Sequence, residues 1–98
     1  MFIVLGRYLK ELVIVDEHLH LHRDYLKQGY ENNYLLLSGP QNPRIGGVMI
    51  SNLTDKSELE NFLKHDPFYL MGIADYQIVE FNPVQSHPSL NFLLQQGR

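Results

Sequence analysis

Two groups of residues in this 98-residue sequence have side chains of a type and spacing that could do chemistry: the imidazoles near position 20, and one arginine set among turn formers. Read at helical spacing, Val15, Leu19, His22 and Leu26 fall at i, i+4, i+7 and i+11, so one apolar stripe has an imidazole at its centre. Asp16, Glu17, Arg23, Asp24 and Lys27 make the opposite, solvent-facing side. An inward histidine is either a packed core residue or an acid–base group, since imidazole changes charge near neutral pH. Periodicity leaves both readings open. His18, His20 and His22 also spell His-Leu-His-Leu-His. On a strand all three would share a face and suggest a metal. On a helix only His18 and His22 do, at zinc-ligand spacing but without a third ligand or a neighbouring glutamate. The flanks are helical in pattern, so no metal is expected.

Arg44 stands in a loop beside Gly46 and Gly47, with no carboxylate partner evident from the sequence. It could clamp an anionic substrate group bidentately, or be a solvated loop charge. Gly46-Gly47 is too short for a phosphate cradle and suits unusual backbone angles at a bulge. Gly39-Pro40 is a turn whose backbone could line a pocket. Tyr8 and Tyr25 could offer hydroxyls there or serve as amphipathic packing residues. The candidate substrate contacts are therefore Arg44, Gly39, Pro40 and Tyr8.

The totals limit what these groups can belong to. A chain this short makes one domain and buries only roughly 60–68% of its unfolded surface, so a partner subunit would help it. Net charge is −3 with only eight basic residues, which argues against a nucleic-acid groove. Without cysteine, this chain can form no disulfide, thiolate nucleophile or Cys-ligated zinc site. Arg7 and Lys10 interrupt the apolar start too early for a signal-peptide core or membrane span. A cytoplasmic protein is expected.

The elements that must position the candidates follow in order. Phe2 to Leu9 reads as a strand with two largely apolar faces, which wants cover on both sides. The spacing predicts a helix over Leu12 to Asn33, with Gly29 on its buried stripe to allow close approach and Asn32-Asn33 as a left-handed cap. Tyr34 to Ser38 and Gly47 to Asn52 are predicted strands, joined by a Gly39–Gly46 loop short enough for an antiparallel hairpin. A second helix begins near Asp55 or Ser57, each with a glutamate three residues on, and stops at Asp66 before Pro67. Phe68 to Gly72 reads as a further helical turn or tight bend, and Ile73 to Phe81 as the last strand. The order β-α-β-β-α-β is the ferredoxin-like arrangement, an α+β fold with two helices on one face of a four-stranded antiparallel sheet. Its other face would be a large apolar patch unless a two-fold partner covers it. Residues 1–84 form the expected domain, and 85–98 a tail with a short helix near Pro88 to Gln96.

In this frame the chain resembles the YCII-related domain family (YciI-like proteins) of the dimeric α/β-barrel superfamily. The matching pieces are Gly6-Arg7-Tyr8 at the end of the first strand, His22, Ser38-Gly39-Pro40, Asn42-Pro43-Arg44 leading into Gly46-Gly47, and Asp66-Pro67-Phe68. The eighteen-residue step from His22 to Pro40 is also similar. The resemblance covers roughly residues 1 to 84, and the longer tail departs from it. It implies a dimer, a His–Asp pair formed by His22 and Asp66 between helices and sheet, and a fold similar to that of ring-compound isomerases and monooxygenases. One branch of the family is associated with dehydrochlorination of hydroxyquinol intermediates.

An aspartate on one ring nitrogen would fix the tautomer and present the other nitrogen as a base near neutral pH. The expected function is that of a small, cofactor-independent homodimeric enzyme acting on a small anionic or aromatic substrate, with lyase, isomerase or dehydrochlorinase chemistry. The alternative is a non-catalytic ligand-binding or regulatory dimer. No flavin, nicotinamide or thiol feature suggests a cofactor, and neither nucleic acid nor membrane is an expected partner.

Overall fold

The computed structural model of the protein describes residues 1–94. Strand β1 (Phe2–Tyr8) is followed by helix α1 (Leu12–Glu31), strands β2 (Leu35–Pro40) and β3 (Gly47–Ser51), and helix α2 (Lys56–Lys64). The short helix α3 (Pro67–Leu70), strand β4 (Ala74–Glu80) and a 3-10 turn at Pro88–Leu93 complete the chain. All strand pairings are antiparallel, in the order β2-β3-β1-β4. This is the ferredoxin-like α+β fold. The expected tail helix is a 3-10 turn, and its predicted end at Gln95 and Gln96 lies outside the described residues.

Central strand β1 alternates as a core strand should. Phe2, Val4 and Gly6 are buried toward the helices, while Leu5 and Arg7 point outward. Its cross-strand partners follow the same alternation: Val4 lies opposite Met49 and Ile78, Gly6 opposite Tyr76, and Arg7 opposite Asp75. Helix α1 ends with Asn33 in the left-handed region at φ 60°, as the Asn-Asn pair predicts. Asp55 caps α2 by accepting the Ser57 N–H at 2.9 Å, which selects it over Ser57 as the cap. Gly29 is where α1 comes close to its neighbours. A Cβ there would lie 2.6 Å from the Phe62 ring of α2 and 3.0 Å from Leu35 of β2.

The core has two parts. Phe2, Val4, Leu26, Leu35, Met49, Leu59, Phe62 and Leu63 form the larger, and Val15, Phe68, Ile73 and Ala74 the smaller. Buried Ser51 is satisfied within the structure, donating to the Tyr34 carbonyl at 2.6 Å and accepting from Leu53 N–H at 3.2 Å. The outer sheet face leaves Leu5, Leu37 and Val79 exposed, crossed by the Arg7–Asp75 ion pair at 2.8 Å. Among the described residues no helix is long and apolar enough to cross a membrane.

The two glycines at the start of β3, Gly46 and Gly47, differ from expectation. Neither has a positive φ, and the sheet irregularity falls on β2 between Leu35 and Leu37. Gly46 is instead required by proximity, because a Cβ there would sit 1.7 Å from the Gly6 carbonyl oxygen. The loop end is pressed onto β1, where Tyr8 N–H donates to the Ile45 carbonyl at 2.9 Å.

Candidate active site

The gap between the two core clusters is a cavity of roughly 190 Å³, walled by Leu26 and Met49 on one side and by Tyr8, Leu19, Phe68 and Ala74 on the other. His22 lines it, because its place on the α1 stripe between Leu19 and Leu26 aims it at this junction. Its side chain keeps 14% of its surface exposed, whereas Asp66 behind it has none. His22 Nδ1 lies 2.8 Å from Asp66 Oδ1. A carboxylate can only accept, so Nδ1 carries a proton, and in the neutral ring the lone pair is on Nε2. The Phe68 ring lies flat against the imidazole, with centroids 4.1 Å apart and planes 2° from parallel, which fixes the ring plane.

Asp66 is where the local sequence and the site converge. The following proline keeps it extended, at φ −65° and ψ 129°, and makes it the N-cap of α3. Its Oδ1 accepts the Phe68 N–H at 3.0 Å as well as His22. Its Oδ2 accepts the Tyr76 hydroxyl from β4. A buried carboxylate is tolerable only with such a full set of donors. Helix capping and histidine pairing coexist in the same residue. Burial and, second to it, the Asp66 charge push the Tyr76 phenol far above its usual range, so this hydroxyl remains a donor.

The other candidates gather at the same cavity. Tyr8, Gly39, Pro40 and Arg44 all line it, as does Arg23. Arg44 is not the lone cation its loop suggests. It pairs with Asp16, one face of α1 away from the stripe, and its guanidinium stands 5.9 Å over the centre of the Tyr8 ring. The Asp16 bond raises the Arg44 pKa, and Arg44 holds the Asp16 carboxyl below its ordinary value. Tyr25 is a packing residue: its hydroxyl donates to the Phe62 carbonyl at 2.6 Å, and its pKa is raised first by burial, then by Asp66. His18 directs Nδ1 to the Ile14 carbonyl at 2.9 Å, and His20 is on the exposed side, so the three histidines do not converge. Sequence reasoning missed Tyr76, Phe68 as a stacking partner, and Asp16. For Tyr76 a signal existed, a glycine at the position that faces an aromatic across two strands.

The fold and the site define a ferredoxin-like α+β domain with a His–Asp pair at a small cavity between its helices and sheet. The YCII-related domain model matches residues 1–82, and the chain belongs to that family. Its structure is similar to that of a 5-chloro-2-hydroxyhydroquinone dehydrochlorinase from Burkholderia phenoliruptrix, solved in complex with 2,5-dihydroxybenzoquinone. The TM-score is 0.66 over 84% of this chain and 94% of that one, at 17% identity, a likeness of fold. No curated protein matches the chain.

Proposed function

We infer that the protein is a small cofactor-independent enzyme in which His22, oriented by Asp66, exchanges a proton with a small anionic or aromatic substrate. The observation that carries this reading is the 2.8 Å His22–Asp66 bond at the wall of a cavity that is largely apolar but also lined by Arg44, Arg23 and Tyr8. A buried aspartate that orients an imidazole while leaving its second nitrogen on a cavity is an acid–base arrangement, worth on the order of 10²–10⁴-fold in rate. The size of the cavity supports a substrate of one ring, since an apolar cavity of about 150 Å³ holds a benzene. Arg44, though tied to Asp16, stands at the cavity and supplies the cation for an anionic substituent, and Tyr8, Gly39 and Pro40 line the same cavity. Proton removal and return through one nitrogen suits eliminations and isomerisations, and the dehydrochlorinase of similar fold makes chlorinated hydroxyquinols the first compounds to try. The working unit in this reading is a homodimer in the cytoplasm, its two-fold contact covering the exposed Leu5, Leu37 and Val79 face.

The test is to incubate wild type and His22→Gln with 5-chloro-2-hydroxyhydroquinone and a panel of small phenols and carboxylates, following products and the His22 ring resonances. Turnover that vanishes in a folded His22→Gln protein supports the reading. Turnover that survives the substitution ends it, and ligand-shifted His22 resonances without turnover of any compound favour the non-catalytic binding dimer.

A further inference from the structure

Gly6 and Tyr76 face each other across β1 and β4. A Cβ on Gly6 would fall 3.0 and 3.3 Å from two carbons of the Tyr76 ring, so the missing side chain makes room for that ring over β1. From there the Tyr76 hydroxyl reaches Asp66, between α2 and α3. The two oxygens of Asp66 are not equivalent. Oδ1 serves both His22 and the Phe68 N–H, while Oδ2 accepts from the Tyr76 hydroxyl. We propose that Tyr76 is a positioning residue: by anchoring Oδ2 it keeps Oδ1 on His22 Nδ1, and so keeps the His22 Nε2 lone pair turned to the cavity.

The physical reason is that a carboxylate held through one oxygen can pivot, and a pivoted carboxylate no longer dictates which ring nitrogen carries the proton. Removing the phenol also removes a charge-assisted hydrogen bond from the buried anion. The anion then draws a proton more strongly, onto itself or its imidazole partner. The groups around His22 are Asp66 before α3, Tyr76 on β4, Tyr8 on β1, Arg44 on the β2–β3 loop, and His18 and Arg23 on α1. Tyr76→Phe changes one of these and leaves the others in place. The inference gives Tyr76 its significance through the acid–base reading of His22, and its test does not need turnover.

The experiment records two-bond ¹⁵N–¹H correlations of the His22 ring against pH in wild type, Tyr76→Phe and Gly6→Ala. Wild type should show the Nδ1–H form alone when neutral. In Tyr76→Phe the Nε2–H form should rise to a tenth or more, and the pair should take up its proton about one pH unit higher. Gly6→Ala pushes on the ring while keeping the hydroxyl, and should change the tautomer ratio in the same direction if Tyr76→Phe fails to fold. A lowered melting temperature with tautomer and titration unchanged would reduce Tyr76 to packing and overturn the proposal. Tautomer changes in a protein whose wild type turns over no compound would leave this inference standing while the enzymatic reading falls.

Discussion

Three glycines meet three kinds of neighbour, and a graded alanine series tests whether proximity explains them. At Gly46 a Cβ would overlap the Gly6 carbonyl oxygen at 1.7 Å and approach Gly6 C at 2.7 Å and Arg7 Cα at 3.1 Å. All three are backbone atoms of the central strand, so relief requires the loop end to leave β1. That movement gives up the Tyr8 N–H to Ile45 bond and the Gln41 N–H to Gly46 carbonyl bond, both 2.9 Å. Overpacking of about 1–3 kcal/mol plus two backbone bonds at about 1 kcal/mol each gives a loss of roughly 3–5 kcal/mol. For a domain whose whole stability is on the order of 5–15 kcal/mol, that is a large share. At Gly29 the nearest contact is the far end of the Phe62 ring, which can yield, and alanine gains about 1 kcal/mol of helix propensity. The net loss there should stay below about 2 kcal/mol. Gly39 has nothing within 4 Å, so Gly39→Ala should be neutral or stabilise by up to about 1 kcal/mol. Urea unfolding followed by circular dichroism gives the three midpoints. Gly46→Ala within 1 kcal/mol of wild type, or Gly39→Ala as the worst of the three, would refute the steric account.

Other outcomes follow from the same structure. Asp66→Ala strands the donors of His22, Phe68 and Tyr76 in the interior and should cost about 3–5 kcal/mol in urea unfolding, with Asp66→Asn, which keeps the shape, costing clearly less. The Arg44–Asp16 tie has a defined pH sense: a carboxyl held below its ordinary value keeps the tie intact above that value and loses it as pH falls through the lowered one. Amide resonances of Ile45 and Gly46 should therefore be flat from pH 7 to 5 and move only in the acid range beneath; movement already at pH 6 would point to another group. If a two-fold partner covers the exposed sheet face as proposed, wild type should sediment as a dimer and Leu37→Lys as a monomer with an unchanged circular dichroism spectrum; a monomeric wild type would refute that part of the proposal.

How far the sequence reveals the fold depends on how local each signal is. The α1 stripe through His22, the Asn33 cap, the Asp55 cap and the break before Pro67 are all set by neighbours within a turn, and all stand in the structure. His22 could be placed facing inward for the same reason. Its meeting with Asp66 spans 44 residues, and periodicity carries no information at that range; the family resemblance supplied it. Tyr76 lies opposite Gly6 on β1, and its hydroxyl partner is fixed only once β4 lies beside β1. Arg44 and Asp16 illustrate the same limit, because a loop charge shows no partner until the loop is folded down. Gly46 was misjudged because glycine serves both unusual φ and close contact, and the chain alone does not distinguish them.

Residue 66 joins local folding to the arrangement of the pair: the oxygen that caps α3 is also the one that accepts from the imidazole, so the short helix and the His22 contact are set by the same atom. In the acid–base reading proposed for His22, the imidazole is then oriented before any substrate arrives, and binding spends none of its affinity on arranging it. A change at position 66 therefore costs the α3 cap as well as the histidine contact, whereas a change at position 22 spares the cap.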